Sequence, residues 1–246
     1  MRAFLTRAVA VATFVVVTVL FGGWLWAALA PEEGVAARAA MVSDLAVTVS
    51  TDGFLSFDPG DATTGLVIYP GGRVRPEAYA PVARMVAEAG YLVVVPDMPF
   101  HLAVLAPSRA DRVMARYPSV ETWVIAGHSL GGAMAASFAE LSDDVAGLVM
   151  WAAYPANSVD LSGRSDLVST GLVGTLDRVI DAEALAGSVA RMPPGYEVLR
   201  IEGGNHAQFG DYGAQAGDGE PAIGAREQWS ITANATIAVL DRVGSR

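Results

Sequence analysis

Apolar and polar residues alternate in two early runs, Leu45-Val47-Val49 and Leu55-Phe57, separated by Thr51-Asp52-Gly53. Period-two alternation broken by Asp-Gly predicts a β-hairpin. Further along come short apolar runs, Gly65–Tyr69 and Tyr91–Val95, of the length and composition of buried strands. Val120–Ala126, Val145–Trp151, Leu167–Val173 and Tyr196–Ile201 read as further strands. Between and after them, helical spacing covers Pro76–Ala89, Ser108–Arg116, Leu130–Leu141, Arg178–Ala190 and Ala222–Val243. Buried strands alternating with helices predict an α/β fold, a mainly parallel central sheet with helices on both faces. The stretch Gly203–Pro221 is Gly-rich without periodicity and reads as a long loop, a kind that tends to be functional.

An uncharged stretch, Ala8 to Ala30, precedes all of this and follows Arg2 and Arg7. At about 1.5 Å per residue it spans roughly 35 Å, enough for a hydrocarbon core of about 30 Å. The apolar region of a signal peptide is shorter, about 7–15 residues. Ala28-Leu29-Ala30 resembles a cleavage site, but Pro31 would follow the cut. The expectation is one N-terminal transmembrane helix within residues 1–30, with Trp24 and Trp26 at the far interface and the N-terminus cytoplasmic. Residues 31–44 then form a juxtamembrane spacer that could be helical over Pro31–Ala40, and 45–246 form the α/β domain on the extracytoplasmic side. Secretion after signal cleavage is the alternative.

Composition narrows the chemistry. Hydrophobic residues make up 52% and charged residues 17%, which suits a packed domain plus one apolar segment. The net charge is −10, and all 16 basic residues are Arg. No basic stretch interleaves with aromatics, so no nucleic-acid partner is expected. The absence of Cys excludes disulfides, thiolate metal sites and a Cys nucleophile.

The strongest chemical signal is Gly127-His128-Ser129-Leu130-Gly131, a G-x-S-x-G pattern between a predicted strand and a predicted helix. Such a turn holds its Ser in a strained conformation above the sheet, and the flanking glycines make room for it. A Ser needs a base to take its proton, and His serves best near neutral pH. Of the three His, His128 sits inside the turn and His101 comes too early. His206, just after the last strand, fits the chain order nucleophile, acid, base. Asp177 ends Gly174-Thr175-Leu176-Asp177 after the intervening strand and is the candidate acid, with Asp181, Asp166 and Asp160 as rivals. Asp177 could equally cap a helix beginning at Arg178. For the oxyanion, one backbone donor is expected from Leu130. The second comes from the loop Tyr69-Pro70-Gly71-Gly72-Arg73, with Gly72 favoured and Arg73 the alternative.

Tyr69-Pro-Gly-Gly-Arg-Val74, Gly127-His-Ser-Leu-Gly-Gly132, Gly174-Thr-Leu-Asp177 and Gly203-Gly-Asn-His-Ala-Gln-Phe-Gly-Asp-Tyr212 together resemble the α/β-hydrolase superfamily, within it a bacterial branch of small hydrolases. The resemblance runs from about Leu66 to the C-terminus. It implies the α/β-hydrolase fold and ester hydrolysis through an acyl-enzyme, with the triad on Ser129, Asp177 and His206. Thioester hydrolysis or acyl transfer by the same residues is an alternative, as is a non-catalytic membrane-tethered binding domain. An Asp nucleophile or an elbow Cys, which other branches use, is absent here.

Many members insert a cap domain after the strand that follows the elbow helix. Here about 15 residues separate Trp151 from Leu167, too few for a domain. The cleft is therefore expected to be open, with Phe100, Tyr154 and Phe209 as substrate-binding candidates. Met98-Pro99, His101, Pro155-Ala156-Asn157 and Tyr212 could also wall it. The expected ligand is a small-molecule or lipid-like acyl ester. No cofactor or metal is expected, since Asp211–Glu220 matches no Ca²⁺ loop.

Overall fold

A computed structural model describes residues 29–245 together with Thr18, Gly22 and Gly23. The expected transmembrane helix lies otherwise outside the described residues, among which no helix is long and apolar enough to cross a membrane. The chain divides into two units, residues 1–30 and 31–246, and the second carries the sheet.

Eight strands form that sheet: β1 (Thr48–Ser50), β2 (Leu55–Asp58), β3 (Thr64–Tyr69), β4 (Leu92–Val95), β5 (Thr122–His128), β6 (Gly147–Trp151), β7 (Val168–Gly174) and β8 (Val198–Ile201). Their spatial order is β1-β2-β4-β3-β5-β6-β7-β8. The predicted hairpin is present: β1 and β2 pair antiparallel, Thr48 opposite Asp58, with Gly53 in the turn at φ +80°. β2 joins β4 antiparallel, and β3 to β8 run parallel.

Six helices accompany the strands among the described residues: α1 (Val35–Ala40), α2 (Ala80–Glu88), α3 (Arg109–Arg116), α4 (Leu130–Leu141), α5 (Ala182–Ser188) and α6 (Ala225–Gly244). Because successive strand residues face opposite ways, β3 splits its side chains between two cores. Leu66 and Ile68 join Tyr79, Val82, Trp151, Phe209 and Leu240 under α1, α2 and α6. Val67 and Tyr69 join Val113, Ile125, Ala135 and Met150 under α3 and α4.

The helix predicted over Arg178–Ala190 begins only at Ala182, because Asp181 caps it by accepting from Glu183 N and Ala184 N. Residues 31–44 hold α1, which is docked on the domain. Gly34 N donates to Asp211 O (2.7 Å), Ala37 N to Asp211 Oδ2 (2.8 Å), and Ala37 is fully buried. Between β6 and β7 residues 152–167 carry no helix or strand, in line with a capless cleft.

Candidate active site

Ser129 ends β5 and opens α4 at φ 52°, ψ −122°, the strained geometry expected of a nucleophile elbow. Close packing enforces the turn. A Cβ added to Gly127 would stand 2.4 Å from Gly131 O, and one added to Gly131 would stand 2.2 Å from Tyr69 O. Only glycine lets the backbone pass there. Ser129 N donates to Trp151 O at 2.9 Å, tying the turn to β6.

The loops after β7 and β8 interlock just as tightly. A Cβ on Gly174 would meet Gly204 C at 2.4 Å, and Leu176 N donates to Gly204 O at 2.9 Å. This contact brings Asp177 and His206 together. His206 Nδ1 lies 2.8 Å from Asp177 Oδ2, with the carboxylate side chain wholly shielded from solvent. Asp177 Oδ1 accepts from Val179 N (2.8 Å) and Ile180 N (2.9 Å). One carboxylate oxygen thus closes a turn over Val179 and Ile180 and the other meets His206, while the helix that follows is capped by Asp181 and not, as the alternative for Asp177 had it, by Asp177. The rivals are engaged elsewhere: Asp181 caps α5, Asp166 pairs with Arg164 (2.8 Å), and Asp160 accepts from Ser162 N.

With Nδ1 donating to Asp177, His206 Nε2 carries the lone pair. It is buried and without a hydrogen-bond partner among the described residues. Ser129 and His206 line one cavity of about 240 Å³, walled by Ala133, Ala153, Tyr154 and Ile180. Leu130 is the first residue of α4, so its N–H has no intrahelical acceptor. Arg73 N donates to His101 O at 2.9 Å, which removes Arg73 as an oxyanion donor. Gly72 lies against Leu130: a Cβ added to it would stand 3.4 Å from the Leu130 side chain.

The substrate-binding candidates separate. Tyr154 is on the cavity wall. Phe100 sits on the loop after β4, about one-third exposed, at φ 53° and away from the cavity lining. Phe209 is corrected: it is fully buried, its ring 5.6 Å from His128 and 6.4 Å from Trp151, so it supports the site from the core and does not face a ligand.

Sequence reasoning passed over the residues behind this surface. Gln228 of α6, fully buried, accepts from Asn205 N and donates to Asn205 O (2.8 Å), clamping the residue before His206. Asp218 Oδ2 accepts from Ala207 N at 2.8 Å on the other side. His128, inside the turn, is buried with its ring 4.7 Å from that of His206. Burial, and behind it the neighbouring His206, hold its pKa well below the ordinary imidazole value, so it is neutral. A signal existed for Gln228: with Thr232 and Thr236 it makes a polar stripe at i, i+4, i+8 on the packed face of α6.

The alpha/beta hydrolase family matches residues 65–230. Among solved structures, a protein predicted to be a CIB-like hydrolase from Thermoplasma acidophilum is similar at 17% identity and TM-score 0.55, over 78% of this chain and 99% of that one. A Thermus thermophilus protein gives 15% identity and TM-score 0.60, covering 80% and 97%. A candidate dienelactone hydrolase from Klebsiella pneumoniae gives 17% and 0.56, covering 76% and 92%. At these identities the likeness is one of fold. No curated protein matches the sequence.

Proposed function

Because the chain belongs to the alpha/beta hydrolase family, we propose that it is a serine hydrolase cleaving carboxylic esters, with Ser129, His206 and Asp177 as its triad. Ser129 Oγ attacks the ester carbonyl carbon while His206 Nε2 takes the hydroxyl proton. Asp177 orients the imidazole and stabilises the imidazolium. The oxyanion is received by the N–H groups of Leu130 and Gly72, with the α4 N-terminus adding favourable potential. Collapse breaks the carbonyl–alkoxy bond, and the departing alcohol takes the proton from His206. Water then repeats the sequence on the acyl-enzyme, giving the free acid and regenerating Ser129.

The observation that carries this reading is the 2.8 Å His206–Asp177 hydrogen bond, which leaves Nε2 unpartnered on the cavity that Ser129 shares. The cavity, at about 240 Å³, is smaller than the roughly 300–1,000 Å³ of drug-sized pockets. Its Ala and Ile walls suit a short acyl group. The uncharged run Ala8–Ala30 after Arg2 and Arg7 supports an anchored enzyme working on the extracytoplasmic side.

A fluorophosphonate probe on the full chain, read by intact mass and peptide mapping, tests the chemistry. Stoichiometric labelling of Ser129 that vanishes in Ser129→Ala and His206→Ala is expected. An ester and thioester panel then ranks the acyl donors. A folded wild-type chain that takes no label overturns the reading and leaves a tethered binding domain.

A further inference from the structure

The oxyanion loop has no element of regular structure to hold it, and its Gly71 N–H is buried. That N–H donates to the Tyr79 hydroxyl at 2.8 Å. The same hydroxyl lies 2.9 Å from His128 Nδ1. Tyr79 and His128 are 0% and 1% exposed, so the Tyr79 hydroxyl proton needs a protein partner. The Tyr79 oxygen accepts from Gly71, and its own proton is paired only when it donates to His128 Nδ1. His128 is neutral and can accept, and burial pushes the Tyr79 pKa well above its ordinary value, so the hydroxyl stays protonated.

One buried pair thus touches three loops: Gly71 beside Gly72, His128 beside Ser129, and the His206 ring, 4.7 Å from that of His128. The fit is tight at Gly71, where an added Cβ would lie 2.8 Å from His128 Nδ1 and 3.2 Å from the Tyr79 hydroxyl.

We infer that Tyr79 and His128 are positioning residues that fix the Gly72 N–H relative to the Ser129 elbow, through the hydrogen-bonded chain Gly71 N–H to Tyr79 O–H to His128 Nδ1. This rests on the proposed reading of Ser129 as nucleophile. The pair touches no substrate. It acts by holding the second oxyanion donor where charge develops, a term realised in the transition state and so expressed in kcat.

Ser188 supplies the control. Its hydroxyl is also buried and hydrogen-bonded, donating to Leu185 O (2.7 Å) at the end of α5. Ester hydrolysis by the full chain is compared for wild type, Ser129→Ala, Tyr79→Phe and Ser188→Ala. Tyr79→Phe and Ser188→Ala each remove one buried hydroxyl and are both expected to lower the Tm. Tyr79→Phe is expected to reduce kcat at least about tenfold with KM changed less than about twofold, while Ser188→Ala keeps its kcat. Where Tyr79→Phe does not fold, His128→Gln, which retains an acceptor for the Tyr79 proton, is set against His128→Met, which does not. The Gln variant is expected to be at least about fivefold faster. Turnover that survives Ser129→Ala overturns the functional reading and this inference with it. Turnover lost in Ser129→Ala, with Tyr79→Phe no slower than Ser188→Ala or with the Gln and Met variants equal, overturns this inference alone.

Discussion

The two ends of the parallel sheet differ in a way that cavity size conceals. At the amino end, ahead of β5 and β6, lies a hollow of about 630 Å³ lined by Asp111, Glu121, Trp123, Asp143 and Asp144. At the carboxyl end the cavity beside Ser129 is about 240 Å³. Yet every non-glycine residue with positive φ among those described, namely Arg73, Phe100, His101, Ser129 and Ala152, follows the carboxyl end of β3, β4, β5 or β6. Each such conformation costs on the order of 1–3 kcal/mol and persists only where the surroundings over-determine it. The larger hollow is solvated acid on relaxed backbone. The smaller one is where strain, a buried carboxylate and an unpartnered imidazole nitrogen converge. Volume alone would select the amino end.

Substitutions at the two ends should therefore differ by orders of magnitude. The largest effect is expected from Ser129→Ala or His206→Ala, lowering ester kcat by about 10⁶-fold. Asp177→Asn comes next, at about 10⁴-fold, because the imidazole loses the acceptor that fixes its tautomer. Its retained Oδ1 can still accept from Val179 and Ile180, so denaturant melts should show Asp177→Asn folding nearly normally. Asp177→Ala should lose about 1 kcal/mol of that turn as well.

Gly131→Ala sharpens the contrast through packing. Its Cβ would face a backbone oxygen that cannot yield, and a loss of about 1–3 kcal/mol in urea unfolding is expected together with loss of turnover.

A smaller, pH-dependent effect belongs to His128. Its folded pKa lies below the ordinary 6.5, so the unfolded chain takes up the proton first. Stability is then full above about pH 6.5 and falls by as much as about 1.4 kcal/mol per pH unit as the pH drops. Chemical denaturation between pH 7 and 5 should show this slope in wild type, and a shallower one in His128→Gln. Last, Glu121→Gln and Asp143→Asn at the amino end should change stability by less than about 0.5 kcal/mol and leave kcat alone. A measurable loss of turnover there would break the comparison.

Much of the carboxyl end was legible because its constraints are local. G-x-S-x-G between a buried strand and a small-residue helix needs no tertiary information, and chain order picked His206 out of three His. What escaped depends on contacts across many residues. Tyr79 follows helical spacing and reads only as core, and nothing in the sequence aims its hydroxyl at Gly71 and His128. Phe209 reads as a cleft wall because it follows His206 in the same loop, and it turns inward because Trp151 and His128 offer a ring-lined slot. The over-long helix at Arg178 has the opposite cause. Two aspartates four residues apart, Asp177 and Asp181, each satisfy backbone N–H groups, and the pattern could not say which one starts the helix.

The docking of α1 on Asp211 gives the N-terminal segment a mechanical meaning. A pull arriving along residues 31–34 meets the Gly34–Asp211 backbone hydrogen bond before it meets any strand. Asp211 is itself held by its N–H to Ala78 O (2.7 Å), the residue next to Tyr79, and it stands in the loop that carries His206. Load on the leading end is thus delivered to the loop that positions the imidazole. Residues 34–37 and the loop that carries His206 share one point of attachment, Asp211.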